Sequence, residues 1–500
     1  MDLIGGRWIE AARPEGQIEN RSPADLSLLL GRHPHARSQV GLSVEEARKA
    51  AGPFAARPLA ERVALVRAIG SALKRREDEL ARAIALDVGK PLWEARTEVA
   101  AAVAKAQVTV EEGLALVRGF SPPGGTSPGR IPAAECRFRP LGVVAVLGPF
   151  NFPVHLPNGH ILPALATGNA VVFKPSEVAP QAAELYARCL EEAGVPPGVF
   201  NLVQGGPQEG AFLSAHAGVD GVLFTGSWSV GQEIERANHG ATKLLALEMG
   251  GKNAALVLAD ADLDKALHDA CFSAFVSAGQ RCTAASRVIV EGPPARADAF
   301  AARAARLARN LAVGHPLDEG TFMGPLSSPA ALRKFEAGLS QTRGQDGVEV
   351  VLASGPVSPR GLRGCYASPS IHRVRRRSGS AYEREELFGP DLAVYDAASL
   401  EEACAIANAT DYGLAASVHT RSAAGFERCL GLLDCGVVNH NAPTVGASGR
   451  LPFGGRKRSG NHRPAGLFSA LYCTAPVAIL RGEEGLDQSQ LSPGMRWVDE

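Results

Sequence analysis

The alternation of apolar and polar positions changes rhythm twice along the chain. In residues 1–40 short apolar pairs are separated by turn residues, and Gly5-Gly6 between two such pairs predicts a hairpin. From about 44 to 117 the pattern is helical and Ala-rich, with Glu and Arg at the polar positions. Ser43-Val44-Glu45-Glu46 reads as a helix start, with Ser43 as N-cap and an acidic residue at N3. A break rich in Gly, Pro and Ser at 119–132 reads as an excursion to another subunit or domain. The rhythm then becomes strand–loop–helix. A near-continuous apolar run at 141–147 predicts a strand buried on both faces, and further strands are expected at 170–173, 199–203, 221–224 and 244–247. Helical patterns at 153–166, 181–193, 208–217 and 230–238 lie between them. This alternation predicts a parallel α/β sheet.

A second α/β series follows Gly250. Strands are expected at 256–258 and 287–290, and helices at 261–278 and 295–311. Val374-Arg375-Arg376-Arg377 reads as a solvated strand or loop, with an anion site as the alternative. The last fifteen or so residues are polar and expected to fray. Five hundred residues exceed one ordinary core, so two or more domains are expected.

Composition narrows the function classes. Apolar content of 45% with 21% charged residues is typical of a soluble globular chain. The 52 basic and 52 acidic side chains balance, which argues against a nucleic-acid or membrane-surface protein. Nine cysteines are scattered with no CxxC pair, so neither a zinc ribbon nor a thioredoxin motif is expected, and no metal site. An odd cysteine count without an export signal or an apolar span points to the cytoplasm.

The candidate chemistry centres on Ser277-Ala278-Gly279-Gln280-Arg281-Cys282-Thr283. Cys282 reads as a nucleophile, and Glu248, in Leu247-Glu248-Met249-Gly250-Gly251, as its base. A free cysteine is most often a small buried hydrophobe, but three features of the context favour chemistry. Gly279 permits close backbone approach to a ligand. Arg281 adds positive charge that favours the thiolate. A bend before a helix would lend the helix dipole. The dinucleotide fingerprint GxGxxG is absent at a strand-to-helix junction. Gly221 to Gly231 instead carries Gly226 and Ser227 where a helix begins, suited either to capping or to holding a pyrophosphate. Lys174 and Glu177 leave the carboxyl end of a predicted strand, as an ion pair or as ribose ligands. A carboxylate there would repel a 2′-phosphate and favour NAD over NADP. Asn151, in Gly148-Pro149-Phe150-Asn151-Phe152-Pro153, either caps the next helix or donates to an oxyanion. Phe152, Leu156 and Gly159 share one helical face.

Several segments together resemble the NAD(P)-dependent aldehyde dehydrogenase superfamily. They are GPFNFP at 148–153, FKPSE at 173–177, FTGS at 224–227, LEMGGKN at 247–253, GQRCT at 279–283, EELFGP at 385–390 and PFGGRKRSG at 452–460. Within it the resemblance is closer to a branch that oxidises a succinylated glutamate semialdehyde in arginine degradation. Segments 155–160, 273–276 and Ser459-Gly460-Asn461-His462-Arg463-Pro464 carry that closeness. The resemblance implies Cys282 as nucleophile, Asn151 as oxyanion donor and Glu248 as the base for thioester hydrolysis. It implies NAD as cofactor, held by Lys174, Glu177, Gly226, Ser227, Gly231, Phe150, Glu386 and Phe388. It places Phe152, Gly159, Arg281, Thr283, Gly446, Ala447 and Ser448 at the substrate, with glycine at 159 widening a tunnel unless that face merely packs. Arg281, Arg450, His155 and His160 are candidate partners for substrate carboxylates.

The expected architecture is aldehyde dehydrogenase-like: two parallel-sheet α/β domains plus a small β oligomerisation element. An NAD-binding domain would comprise 1–118, 141–248 and a returning piece at about 438–464. A catalytic domain would span 249–437, and the oligomerisation element would combine 119–140 with 465–485, making a homodimer or homotetramer. Rival readings are a dehydrogenase of another aldehyde, a CoA-acylating relative in which CoA replaces water, and a catalytically silent structural protein on the same fold.

Overall fold

The computed structural model describes residues 1–122, 133–342, 344–481, 485, 488 and 491–498. Strand Val143–Leu147 is buried at all five positions. It pairs in parallel with Ala170–Lys174 on one side and Gly221–Thr225 on the other. Phe200–Leu202 extends the first flank and Leu244–Glu248 the second, again in parallel. The hairpin Asp2–Ile4 with Arg7–Ile9 closes the far edge antiparallel, turning at Gly5-Gly6 as expected. Side chains alternate between two cores. Val144, Val146, Val171 and Phe173 face one, whereas Val143, Ala145 and Val172 face the other. A strand sandwiched in this way carries no polar position, so its sequence is continuously apolar.

The first of the parallel strands in the chain, Val143–Leu147, lies mid-sheet. Its successors are added on one flank and then on the other. At the carboxyl edge the chain therefore leaves Val143–Leu147 and Gly221–Thr225 in opposite directions. The crevice this opens is where open parallel sheets bind nucleotides.

A second sheet has the order Val348–Leu352, Ser370–Val374, Asp391–Ala397, Ala285–Glu291, Asn253–Val257, Ala415–His419, Val437–His440. All neighbours are parallel except the first pair. Here too Ala255, Val257, Val288 and Val290 face one core and Ala254, Leu256 and Ile289 the other. A separate ribbon pairs Ala133–Pro140 antiparallel with Thr474–Arg481.

Several expectations need correction. The first helix is Arg37–Ala55, so Ser43 is interior and its hydroxyl donates to the Val40 carbonyl at 2.7 Å instead of capping. Burial of Val40, Val44 and Ala47 against the first sheet outweighs the missing cap. The helical stretch divides into Arg37–Ala55, Leu59–Arg75, Glu77–Val88 and Leu92–Val108, with Pro58 and Pro91 before two of the starts. The helix expected at 261–278 is Leu263–Phe275. Within the 465–485 piece expected to be β, Ser469–Tyr472 is a helical turn and the strand begins only at Thr474. The boundary expected at 437/438 falls inside Val437–His440, a strand of the second sheet. Part of the 119–140 and 465–485 element lies outside the described residues. Arg375, Arg376 and Arg377 are exposed, as the solvated reading expects, and pair with Asp298 and Glu349, with Asp346 and with Glu402, whereas the preceding Arg373 is buried against Asp298 and Asp396.

Candidate active site

The loop carrying Cys282 is shaped by what precedes it. Helix Leu263–Phe275 stops where Val276 turns extended, and Ser277, Ala278 and Gly279 follow at φ of 57°, 52° and 69°. Two non-glycine residues held in the left-handed region are costly, and such strain recurs at functional sites. A Cβ on Gly279 would stand 2.2 Å from the Gly389 carbonyl oxygen, so its close approach is to backbone, not to a ligand. Cys282 then sits in a turn that leads into strand Ala285–Glu291. No helix begins there, so the expected dipole assistance is absent. The loop is pinned by Asn253 Nδ2, which donates to the carbonyls of Cys282 at 2.7 Å and Ala284 at 2.9 Å. Thr444 Oγ1 donates to the Thr283 carbonyl at 2.7 Å. Asn151 Nδ2 donates to the Gln280 carbonyl at 2.9 Å, and its second hydrogen is available to another acceptor.

The electrostatics differ from the reading of neighbouring sequence. Burial pushes the Cys282 thiol up to about 12; the carboxylates of Glu386 and Glu248 push the same way, and Arg281 only opposes them. Arg281 is neutralised by Glu94, whose Oε1 accepts from its guanidinium at 2.7 Å, and its Nε donates to Ser277 Oγ at 2.9 Å. Glu248 is buried, and burial holds its carboxyl well above the usual carboxylate range, opposed by the Ala465 N–H. Among the described residues its Oε2 has no hydrogen-bond partner. A buried carboxyl with a free oxygen beside a protonated thiol can exchange a proton with sulfur or water.

Cys282 and Glu248 line one cavity of about 270 Å³. Phe152, Gly159, Arg281, Thr283, Gly446, Ala447 and Ser448 line it too. Helix His155–Thr167 begins after Phe152, but Leu156 N donates to the Phe152 carbonyl at 3.3 Å, so the shared face persists. A Cβ added at Gly159 would meet nothing within 4 Å. The histidines on this wall are buried in neutral form, His155 pulled down to about 4 and His160 to about 3, chiefly by burial. His160 Nδ1 lies 2.7 Å from the Tyr472 hydroxyl. Arg450 is exposed and pairs with Glu112 at 3.1 Å. Neither histidine and neither arginine is therefore a free cation for a substrate carboxylate.

The remaining candidates occupy adjoining space. Asn151 and Phe150 border a small void shared with Lys90 and Gln280, not the cavity itself. Glu386 and Phe388 border another beside Gly279 and Arg281. The Phe150 and Phe388 rings meet edge to face at 5.8 Å. Glu386 Oε1 accepts from Gly251 N at 2.9 Å, and a Cβ on Gly250 would stand 2.1 Å from Glu386 Oε2. At the carboxyl edge of the first sheet Lys174 is buried with Nζ 3.5 Å from the exposed Glu177. Ser227 caps helix Trp228–Ala237 and is itself exposed, leaving that N-terminus open beside the crevice. Gly231 serves packing: a Cβ there would stand 2.5 Å from Met249 Sδ. An open helix N-terminus, with a carboxylate and an ammonium at the same carboxyl edge of the sheet, fits a nicotinamide dinucleotide.

Sequence reasoning missed one whole wall. Helix Leu92–Val108 presents Glu94, Thr97, Glu98, Ala101 and Lys105 to the cavity. Their spacing of 3, 4, 7 and 11 from Glu94 is a helical face, and polar residues at that spacing in an Ala-rich helix were the available signal.

The aldehyde dehydrogenase family profile matches residues 8–476. An N-succinylglutamate 5-semialdehyde dehydrogenase of Chromobacterium violaceum is 40% identical over 501 residues, covering 99% of each chain. An NAD-dependent aldehyde dehydrogenase from Sinorhizobium meliloti superposes with a TM-score of 0.90 at 30% identity, over 97% of this chain and 95% of that one. An NADP-dependent enzyme from E. coli superposes at 0.89 with 30% identity, over 96% and 98%. Among the described residues no helix is long and apolar enough to cross a membrane. With the motifs in order, the thiol and carboxyl in one cavity and these full-length likenesses, the chain belongs to the aldehyde dehydrogenase family of NAD(P)-dependent oxidoreductases.

Proposed function

We propose that this protein oxidises N-succinylglutamate 5-semialdehyde to N-succinylglutamate with NAD, by a hydrolytic route. The observation that carries the chemistry is the meeting of Cys282 and Glu248 in one cavity, with the base free at one oxygen. Full-length likeness to a dehydrogenase of that name supports the substrate. Cys282 gives its proton to solvent water and its sulfur attacks the aldehyde carbon, giving a tetrahedral thiohemiacetal oxyanion. Asn151 Nδ2 and the Cys282 N–H are the donors assigned to that oxygen. A nicotinamide dinucleotide held there would supply the acceptor for the hydride that leaves this carbon. The carbonyl re-forms as a thioester on Cys282. Glu248 then takes a proton from water as its oxygen attacks, and collapse releases the carboxylic acid and the Cys282 sulfur. Lys174, Glu177, Gly226, Ser227, Glu386 and Phe388 are assigned to the dinucleotide, with Phe150 beside Phe388. Glu177 favours NAD by repelling a 2′-phosphate.

The test compares kcat/KM for the succinylated semialdehyde, glutamate semialdehyde and a plain aliphatic aldehyde, each with NAD and NADP. Preference for the first with NAD supports the assignment. Equal or better rates on the others keep the dehydrogenase and discard the substrate.

Gly159 bears on the same question, since its missing side chain leaves space open on the cavity wall. Gly159→Trp is expected to crowd a branched substrate by about 1–3 kcal/mol, or roughly tenfold to hundredfold in kcat/KM. A short aldehyde should lose less. Parallel losses on both would mean that position 159 acts through helix packing.

The chain is proposed to divide into a dinucleotide-binding unit on the first sheet and a catalytic unit on the second. The ribbon of Ala133–Pro140 with Thr474–Arg481 is the proposed oligomer contact. The outer edge of Thr474–Arg481 pairs with no further strand among the described residues, and such an edge accepts a partner's strand. A monomeric mass by light scattering would exclude the homodimer or homotetramer.

A further inference from the structure

Five ionisable side chains other than histidine and cysteine line the cavity: Glu94, Glu98, Glu248, Lys105 and Arg281. Four are accounted for. Arg281 pairs with Glu94, and Glu98 pairs with Lys90 in a fully buried contact. Burial shifts Glu248 toward its neutral form. His155 and His160 are neutral as described above. Lys105 remains. It is only 5% exposed, and its Nζ donates to the Gly466 carbonyl at 2.6 Å. Among the described residues no Asp or Glu forms an ion pair with it. An ammonium has three donors, so two lack a protein partner among the described residues at the wall of a cavity. A buried cation without a counter-charge is costly, and burial draws the Lys105 ammonium down to about 8.

We infer that Lys105 is the carboxylate anchor of this cavity, pairing with a carboxylate that the aldehyde substrate carries away from its reacting carbon. This rests on the aldehyde dehydrogenase reading and deepens it. Position follows from the helix. Glu94 and Lys105 are eleven residues apart on one face, so their backbones are separated by about 16 Å at 1.5 Å per residue. Arg281, the chain neighbour of the nucleophile, holds the Glu94 end. Lys105 holds the other, where an extended acyl-amino-acid aldehyde arrives and a short aldehyde does not. The ion pair formed there also supplies the counter-charge that the protein itself withholds.

The test uses the full-length enzyme with NAD and two variants, Lys105→Met and Lys105→Arg. A hydrogen bond to a charged group contributes about tenfold to hundredfold. Lys105→Met is therefore expected to raise KM for the succinylated semialdehyde by that factor, with a smaller change in kcat. Relative to butanal, its kcat/KM should fall at least tenfold, and Lys105→Arg should recover most of the loss. N-acetylglutamate semialdehyde keeps only the amino-acid carboxylate and N-succinyl-4-aminobutanal only the succinyl one. The substrate whose KM responds to the variant names the paired group. Equal losses on charged and uncharged aldehydes, or none, would overturn the inference. Should Lys105→Met fail to fold, the wild type decides. N-succinylglutamate should compete with aldehyde at least tenfold better than its amide analogue, and equal inhibition would overturn the anchor. A wild type indifferent to substrate carboxylates sinks the proposed substrate as well; one that prefers them while Lys105→Met does not care sinks this inference alone.

Discussion

Glu248→Gln is expected to release one equivalent of reduced cofactor per subunit in a burst and then turn over about 10²–10⁴-fold more slowly than wild type. The amide keeps the shape of the side chain and cannot take a proton from water. The first half-reaction still delivers the hydride, while the thioester on Cys282 persists and traps the enzyme. The pH dependence gives a second signature. Burial raises the Glu248 pKa, so the basic form grows as pH rises through a value above the ordinary carboxyl range of about 4.3. Steady-state turnover limited by hydrolysis should climb with pH over that interval, and Glu248→Gln should lose this limb. The burst rate should climb separately, since it follows the Cys282 thiol that burial pushes to about 12. Unchanged steady-state turnover in Glu248→Gln would sink the hydrolytic mechanism and return CoA, or another acyl acceptor, to consideration.

The second large effect is on stability. Glu98 is buried against Lys90, and its Oε1 also accepts from Val154 N at 3.0 Å and His155 N at 3.1 Å. It therefore satisfies N–H groups at the start of helix His155–Thr167 from another helix, as an N-cap would. Glu98→Ala strands a buried ammonium and those donors together. Breaking a buried pair from one side costs about 3–5 kcal/mol, so a clear fall in the thermal midpoint is expected. Lys90→Met with Glu98→Gln removes both charges and keeps an acceptor for the helix, and should recover most of the loss. Lys90 Nζ also stands 3.8 Å above the Phe152 ring, which lines the cavity. Glu98→Ala should therefore raise KM as well. A midpoint within about 1 °C of wild type would mean the site relaxes or admits water.

The two expectations differ in how visible their residues are in sequence. Glu248 and Cys282 stand in segments whose composition marks a loop, and the family resemblance assigns their roles. Glu98 and Lys105 lie in an Ala-rich helix, where nothing in the one-dimensional pattern separates a solvated charge from a buried one. Arg281 lowers the Cys282 pKa as its adjacency suggested, but burial and the carboxylates of Glu386 and Glu248 outweigh it, and the cation itself pairs with Glu94, far off in the chain.

Local pattern by itself determined the buried parallel strands, because a strand covered on both faces must be apolar throughout. It also determined the glycine hairpin and the strand-to-helix junctions. Only the tertiary structure decided which charges are compensated, that Gly279 yields to the Gly389 carbonyl, and that Val437–His440 joins the second sheet. It also decided that one helix face walls the cavity and that Lys105 has no counter-charge among the described residues. Periodicity records which face of an element is apolar. Charge compensation and desolvation depend on what packs against that face, and those partners come from distant parts of the chain.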